Sequence, residues 1–392
     1  MLMKYAVNVV RFVVGILFIF SGLVKAIDPL GLSYKMDEFF DLWTAGLVKT
    51  SFSFLIQFFQ FLRDHSLSLS VLMIAFEIIA GVALLIGWRM KIFSWLLLLL
   101  IIFFTFLTGY AYFSHNPDGS PKFSNCGCFG DCIPLTVKTS FLKDIALTAL
   151  IIFLFINRKK IIPAFSNRTN FIIMLLATIF SFGLQWYVLV YLPIIDCLPY
   201  KKGNNISEKM KQPPGSKPDS FAIRFIYEKG GKPYEFSPSD LPADLNTYTF
   251  KERKDKLIRK GNAEPPIKGF ILKTGSGEDS TQVILSEPYS FLLFCENFKT
   301  PVSSWQKDFE KLKQAADQKN IPVYIITASL NDAKKALSST SFSGVQVFEC
   351  DYTAIRTAAR TNPCLYLLKQ GTVVNKWSYK RMSAAIKEIP NR

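Results

Sequence analysis

Histidine is nearly missing from this chain: only His65 and His115 occur in 392 residues. A multi-histidine metal centre therefore has no supply of ligands. There is no G-x-x-x-x-G-K loop, H-E-x-x-H pattern or internal repeat, so nothing marks an NTPase, a zinc hydrolase or a solenoid. Acidic residues are scarce as well: 30 stand against 46 basic ones, for a net charge of +16. Hydrophobic residues make up 50% of the chain, and phenylalanine alone numbers 36. Before residue 200 the apolar residues form long runs; after it they alternate with polar ones. That asymmetry implies a membrane domain followed by a soluble one.

Most of the positive excess lies in the soluble half. A basic surface suits nucleic acid, anionic lipid headgroups, or no partner beyond water. Tethering beside a bilayer favours lipid, so the bilayer is the expected partner and nucleic acid is not.

Five segments reach the length of about 20 apolar residues that a spanning helix needs. They are 7–27, 69–88, 92–113, 141–156 and 171–192. The first is followed by KAIDPLG, not by a small-residue cleavage site, and is read as a retained span. Residues 36–62 are amphipathic, with Asp37, Glu38, Asp41 and Lys49 interspersed, and are expected to lie in the interface or against the bundle. Lys4 and Arg11, then Arg89 and Lys91, then Arg158, Lys159, Lys160 and Arg168 all fall on one side if there are five spans. The positive-inside rule makes that side cytoplasmic. The N-terminus is then inside, and everything after Leu192 is outside.

Two charges interrupt the apolar runs. Glu77 sits within the second span, and Lys25 lies at a comparable depth near the outer end of the first. A carboxylate there costs about 2.5–3.5 kcal/mol, so it needs a partner inside the bundle. The pair reads either as a structural tie between helices or as a proton-handling carboxyl beside a quinone site. In SGLVKAIDPLG (21–31), Pro29 and Gly31 end the first helix, and Asp28 can bond to the exposed backbone.

Seven cysteines are present, and three fall in NCGCFGDC (125–132). This hairpin lies on the outer side, where thiols tend toward disulfides. Cys126 and Cys128 form a C-x-C, whose disulfide would close a small ring suited to exchange. A redox-active pair, a plain staple and a Cys3His metal site with His115 are the alternatives; the compact spacing disfavours metal, and none is expected. Cys197 follows the fifth span on the same side and can meet Cys132 if the bundle brings the two loops together.

SGLVKAIDPLG, Glu77 with Gly81 in AFEIIAGVALLIGW, and NCGCFGDC together resemble the DoxX/MauE group of small integral membrane proteins. The resemblance covers about the first 160 residues. It implies periplasmic redox work at a bacterial inner membrane, with Cys126 and Cys128 as the redox pair. MauE members are implicated in maturing methylamine dehydrogenase, whose small subunit is rich in disulfides.

Residues 198–220 are polar and rich in Pro, Gly and Lys, and read as a linker. FAIRFIY (221–227) and the basic stretch 244–261 suggest a small β-rich insert. From about residue 264, GFILKT (269–274), STQVILS (280–286) and SFLLFCEN (290–297) read as strands. Helix and strand then alternate up to a hairpin in NPCLYLLKQGTVVNKW (362–377) and a last helix. This order resembles a thioredoxin-like domain of the peroxiredoxin or TlpA type over residues 264–390. The resemblance implies that Pro363 is a cis-proline and that Cys364 lies where a client strand docks. The C-x-x-C of that family is missing: the stretch after SFLLFCEN is NFKTPVSS.

The expectation is therefore a membrane α-helical bundle over residues 1–197, a linker and insert over 198–263, and a thioredoxin-like domain over 264–392. Its catalytic candidates are Cys126, Cys128, Cys132 and Glu77. Pro363 and Cys364 are candidates for client binding, while Lys25, Asp28 and Cys197 are structural. A quinone is the expected electron carrier, and a thiol-bearing periplasmic protein the expected client. The alternative is a non-enzymatic anchor or assembly factor.

Overall fold

The structure is a computed structural model that describes residues 2–390 apart from Lys49, 124–126, 128 and 129. Cys126 and Cys128 thus lie outside the described residues, as does Lys49.

The N-terminal half is helical: α1 (Leu2–Ala26), α2 (Pro29–Leu47), α3 (Leu55–Asp64), α4 (Ser66–Ile86), α5 (Met90–Phe113), α6 (Val137–Ile156) and α7 (Asn167–Tyr191). Five of these are long and apolar enough to cross a membrane: α1, α4, α5, α6 and α7. The chain is therefore a multi-pass membrane protein. Of the other two, α2 carries Lys35, Asp37, Glu38 and Asp41 and α3 has only 10 residues, so neither spans; α2 packs along α4.

Small residues decide which helices touch. A Cβ on Gly81 would come within 2.9 Å of the Gly15 carbonyl, and one on Gly22 within 2.6 Å of Ile78. The α1–α4 contact therefore needs glycine at those points. Pro29 opens α2 at its first turn, so α1 and α2 meet in an elbow at Asp28. Thr136 and Ser166 cap α6 and α7 through the amides of Thr139 and Thr169.

The two ends of the bundle differ. At one end Arg11 donates to the Ile162 carbonyl, and Ala164 donates to Ile86. The basic α4–α5 and α6–α7 turns therefore share that end. The elbow, the cysteine hairpin and the C-terminal half share the other.

The second half holds α8 (Ile206–Lys209), α9 (Thr281–Ser286), α10 (Gln306–Gln318), α11 (Leu330–Leu337), α12 (Tyr352–Ala358) and α13 (Met382–Ala385). Its strands are β1 (Ser220–Lys229), β2 (Lys232–Phe236), β3 (Thr249–Arg259), β4 (Ser290–Cys295), β5 (Val323–Thr327), β6 (Val347–Glu349), β7 (Cys364–Lys369) and β8 (Thr372–Ser378). A small antiparallel sheet runs β2-β1-β3, its hairpin turned by Gly230 and Gly231 at φ +59° and +75°. The main sheet runs β6-β5-β4-β7-β8. There β4, β5 and β6 are parallel, while β7 is antiparallel to both β4 and β8. Every residue of β4 is buried, as a central strand covered on both faces requires.

Three expectations change. STQVILS is the helix α9, because its neighbours Ile284 and Leu285 are both buried while Val283 is 65% exposed, which a period of two does not allow. GFILKT does alternate, but its only ladder-type pairings are the isolated ones of Lys273 with Asp279 and Glu349, so no strand forms. The segment from Leu198 is not a free linker. Tyr200 and Ile206 are buried in the C-terminal core, and residues 203–206 bond along the β7–β8 turn and β8 through Val373 and Gly371. Apolar anchors hidden in a polar stretch tie it down.

Candidate functional site

The cysteine hairpin is held from three directions, at the end of the bundle opposite the basic turns. Cys132 forms a disulfide with Cys197, their Cα atoms 4.9 Å apart, which ties the hairpin to the chain leaving α7. Within the hairpin, Gly130 donates to the Gly127 carbonyl at 3.0 Å. Upstream, Phe123 stacks on Phe39 of α2, with ring centroids 4.6 Å apart. His115 contacts the Phe113 carbonyl.

The third tie comes from the C-terminal half. Arg360 follows α12 and is 3% exposed. Its Nε bonds Asp28 Oδ2 at 2.7 Å and its Nη2 bonds Asp131 Oδ2 at 3.0 Å, while Nη1 reaches the Arg356 carbonyl. One turn earlier, Arg356 pairs with Asp37 of α2 at 2.5 Å and lies 3.6 Å from the Tyr34 ring centroid. The C-terminal half is thereby clamped onto the elbow and the hairpin together. Burial opposes the Arg360 charge, but Asp28, Tyr34 and Asp131 outweigh it and hold the guanidinium above its ordinary range. Burial pushes the Asp28 carboxyl up even against Arg360, and the nearby Asp131 carboxylate adds a little to the rise. Burial also raises the Tyr34 phenol.

A second polar cluster lies inside the bundle. Lys25 and Glu77 are 2.5 Å apart and each is 3% exposed. Lys25 also sits 4.5 Å from the Phe104 ring centroid, and Ser21 donates to Glu77. On α6, Asp144 pairs with Lys143 at 2.5 Å and accepts from Thr108 of α5 at 3.0 Å. A cavity of about 60 Å³ lies between these pairs, lined by Ser21, Lys25, Glu77, Lys143 and Asp144 with apolar neighbours. That volume holds a water or two.

The C-terminal cysteines are unlike a redox site. Cys295, Cys350 and Cys364 are free and buried. Burial pushes the Cys350 thiol up to about 12 and Cys364 to about 11, and raises Cys295 further. The Asn362–Pro363 bond is cis. Pro363 and Cys364 are both buried, so neither presents a surface to a client in this arrangement. The Asn362 side chain spans from the cis bond to the loop after β4, donating to Asn297 and accepting from the Glu296 amide.

Sequence reading passed over Arg356, Arg360, Tyr34 and Asp144. Asp144 left a signal, a Lys–Asp pair inside an apolar run. The arginines left none, since two basic residues four apart look like any solvated helix face.

A membrane helical bundle with a buried acid–base pair and a disulfide-tied hairpin defines the class of the N-terminal half. Within it, residues 3–157 match the family model described as methylamine utilisation protein MauE, a match that runs from α1 to the end of α6. That part of the chain is therefore similar to the MauE family. Residues 221–260, which hold the small sheet, match a domain of unknown function, DUF8463. No curated protein and no solved structure matches the chain.

Proposed function

We propose that the chain is a membrane thiol–disulfide oxidoreductase that oxidises thiols of periplasmic proteins at its cysteine hairpin. The observation that carries this reading is the Cys132–Cys197 disulfide, which sets the hairpin at the same end as the outer domain. Disulfides persist in oxidising compartments. The basic turns gather at the opposite end, which supports an inner-membrane orientation with the N-terminus inside and the C-terminal half in the periplasm. Cys126 and Cys128 are the exchanging pair, and Glu77 handles protons within the bundle.

The outer domain is read as thioredoxin-like. Its sheet order supports that, while the lack of C-x-x-C and the raised, buried thiols leave it a scaffold.

A quinone fits the remaining need, because it accepts two electrons and two protons in the bilayer. An apolar groove of about 870 Å³ between α2–α3 and α4–α5 suits such a ring, with Trp43, Phe59, Met73, Phe106 and Tyr110 available to hold it. Trp43 and Tyr110 lie 5.7 Å apart by ring centroids, and Tyr110 also touches Phe123 at the base of the hairpin.

Alkylation trapping after oxidant and reductant pulses tests the reading. Cys126 and Cys128 should change state with the pulse; a fixed state throughout excludes turnover. The same buried thiols favour a second reading, a non-enzymatic assembly factor whose outer domain binds a client. Replacing Cys126 and Cys128 by Ser separates the two. Loss of client oxidation in stable protein supports the oxidoreductase, and loss of stability alone supports the assembly factor.

A further inference from the structure

The end of the bundle that gathers the basic turns is built without negative charge. No Asp or Glu occurs in residues 1–27, 78–117 or 145–195, the stretches that supply α1, the α4–α5 turn and the α6–α7 turn. These segments close on Gly87: a Cβ there would come within 2.8 Å of the Ile162 carbonyl and 3.1 Å of Arg11 Nη1. Arg89 and Lys91 are exposed on one turn, and Lys159 and Lys160 on the other. Arg158 lies 4.2 Å from the Phe155 ring centroid, and Phe155 meets Trp95 of α5 at 4.6 Å, which links the second turn to α5.

Arg11 differs from these cations. It lies within the first span and is 6% exposed. Its guanidinium donates to the Ile162 carbonyl at 3.3 Å and lies 5.2 Å from the Phe12 ring centroid. Neither contact neutralises the charge. Lys25, also buried in α1, is paired with Glu77, whereas no carboxylate pairs with Arg11 among the described residues. A buried charge is stable only when paired, so Arg11 requires an anion from outside the chain. The side chains around the cations fix its source. Phe12, Ile92, Trp95 and Ile156 are exposed and apolar, each within a few residues of a basic one. A free phosphate makes no use of them, whereas a phospholipid lays its acyl chains along them and its phosphate among the cations. Basic pockets between membrane helices hold lipid headgroups in this way, and a guanidinium matches phosphate oxygens in shape.

We infer that the basic end is a binding site for an anionic phospholipid, its phosphate held by Arg89 and the 158–160 turn in front of the buried Arg11 charge. Arg11 acts through space. Unit charges a few ångströms apart attract strongly where water is excluded, so its sealed Nε needs no bond to the lipid. The site is separate from the thiol chemistry and holds whether or not the hairpin turns over.

The test uses the full chain, stripped of lipid in a neutral detergent. Phosphatidylglycerol, phosphatidylcholine or inorganic phosphate is added, and binding is read by native mass spectrometry and by the melting temperature. Phosphatidylglycerol should stay bound and raise the melting temperature, while the other two do neither. Arg11→Gln keeps a donor for the Ile162 carbonyl and loses the charge. It should weaken phosphatidylglycerol about tenfold, whereas Arg11→Lys should retain most of the affinity. Lys4→Gln should weaken it no more than about twofold, because Lys4 lies about 10 Å farther along α1, near the screening length of salt. Without lipid, Arg11→Gln should melt no lower than the wild-type chain, since no carboxylate loses a partner. A lower melting temperature there means that the charge is satisfied inside the chain and refutes the site. Equal stabilisation by inorganic phosphate makes the ligand a free anion and refutes the lipid. Equal binding of phosphatidylcholine, or an equal loss with Lys4→Gln, leaves only a diffuse surface and refutes the site as well.

Discussion

Arg360→Met removes a buried guanidinium from two carboxylates, and their exposures decide the cost. Asp131 is 33% exposed and regains water, so its share is that of a surface pair, under about 1 kcal/mol. Asp28 is 13% exposed and has nowhere to go. Left charged and unpaired, it costs about 3–5 kcal/mol. Its alternative is to take a proton. From an ordinary value near ~3.9, protonation costs roughly 4 kcal/mol at pH 7 but only about 1.5 kcal/mol at pH 5. The variant adopts the cheaper course. The predicted loss of stability is therefore roughly 3–5 kcal/mol at pH 7, falling to about 2 kcal/mol near pH 5. The sign follows from linkage: the folded variant holds a proton that the unfolded chain has released, so lowering the pH favours the folded form. Burial already raises the wild-type Asp28 carboxyl, and without Arg360 it rises further, so the recovery begins well above pH 4. The assay is thermal unfolding of the full chain in detergent at pH 5 and 7, with hydrogen exchange read on α12. Adding Asp28→Asn should restore most of the loss at pH 7 and abolish the pH dependence. An equal loss at both pH values, or a double variant no better than the single one, refutes the reasoning.

Removing either partner of the Lys25–Glu77 pair should cost about 3–5 kcal/mol, because one charge is left unpaired in the bundle. The double variant Lys25→Met with Glu77→Gln should cost less than the sum, and unfolding in detergent measures the difference. Iodoacetamide at pH 8 should leave Cys295, Cys350 and Cys364 unmodified in the folded chain. At that pH a thiol raised to about 11, as Cys364 is, holds only about 0.1% thiolate, before burial slows it further. Gly87→Ala should destabilise by about 1–2 kcal/mol or more, since Gly87 caps α4 at φ +71° and its Cβ would sit 2.8 Å from the Ile162 carbonyl; a thermal shift reads it.

The amino-acid sequence alone determined the five spans, because burial in lipid demands long apolar runs that no other structure needs. It also determined most of the strand–helix alternation after residue 289. Neighbouring backbone groups satisfy one another locally, so periodicity records them. Glu77 announced that it needed a partner, because a carboxylate in an apolar span cannot stay unpaired. What the sequence could not carry were contacts between distant segments. STQVILS and the start of the expected linker over residues 198–220 escaped sequence reading because their state depends on what they pack against. The joining of Cys132 to Cys197 was open on spacing alone, since any pairing of the outer cysteines satisfied the count. Arg360 and Asp28 are 332 residues apart in sequence yet 2.7 Å apart in space. Nothing local distinguishes them from solvated charges, because what makes them a clamp is the exclusion of water, and only the folding of the outer domain onto the bundle excludes it.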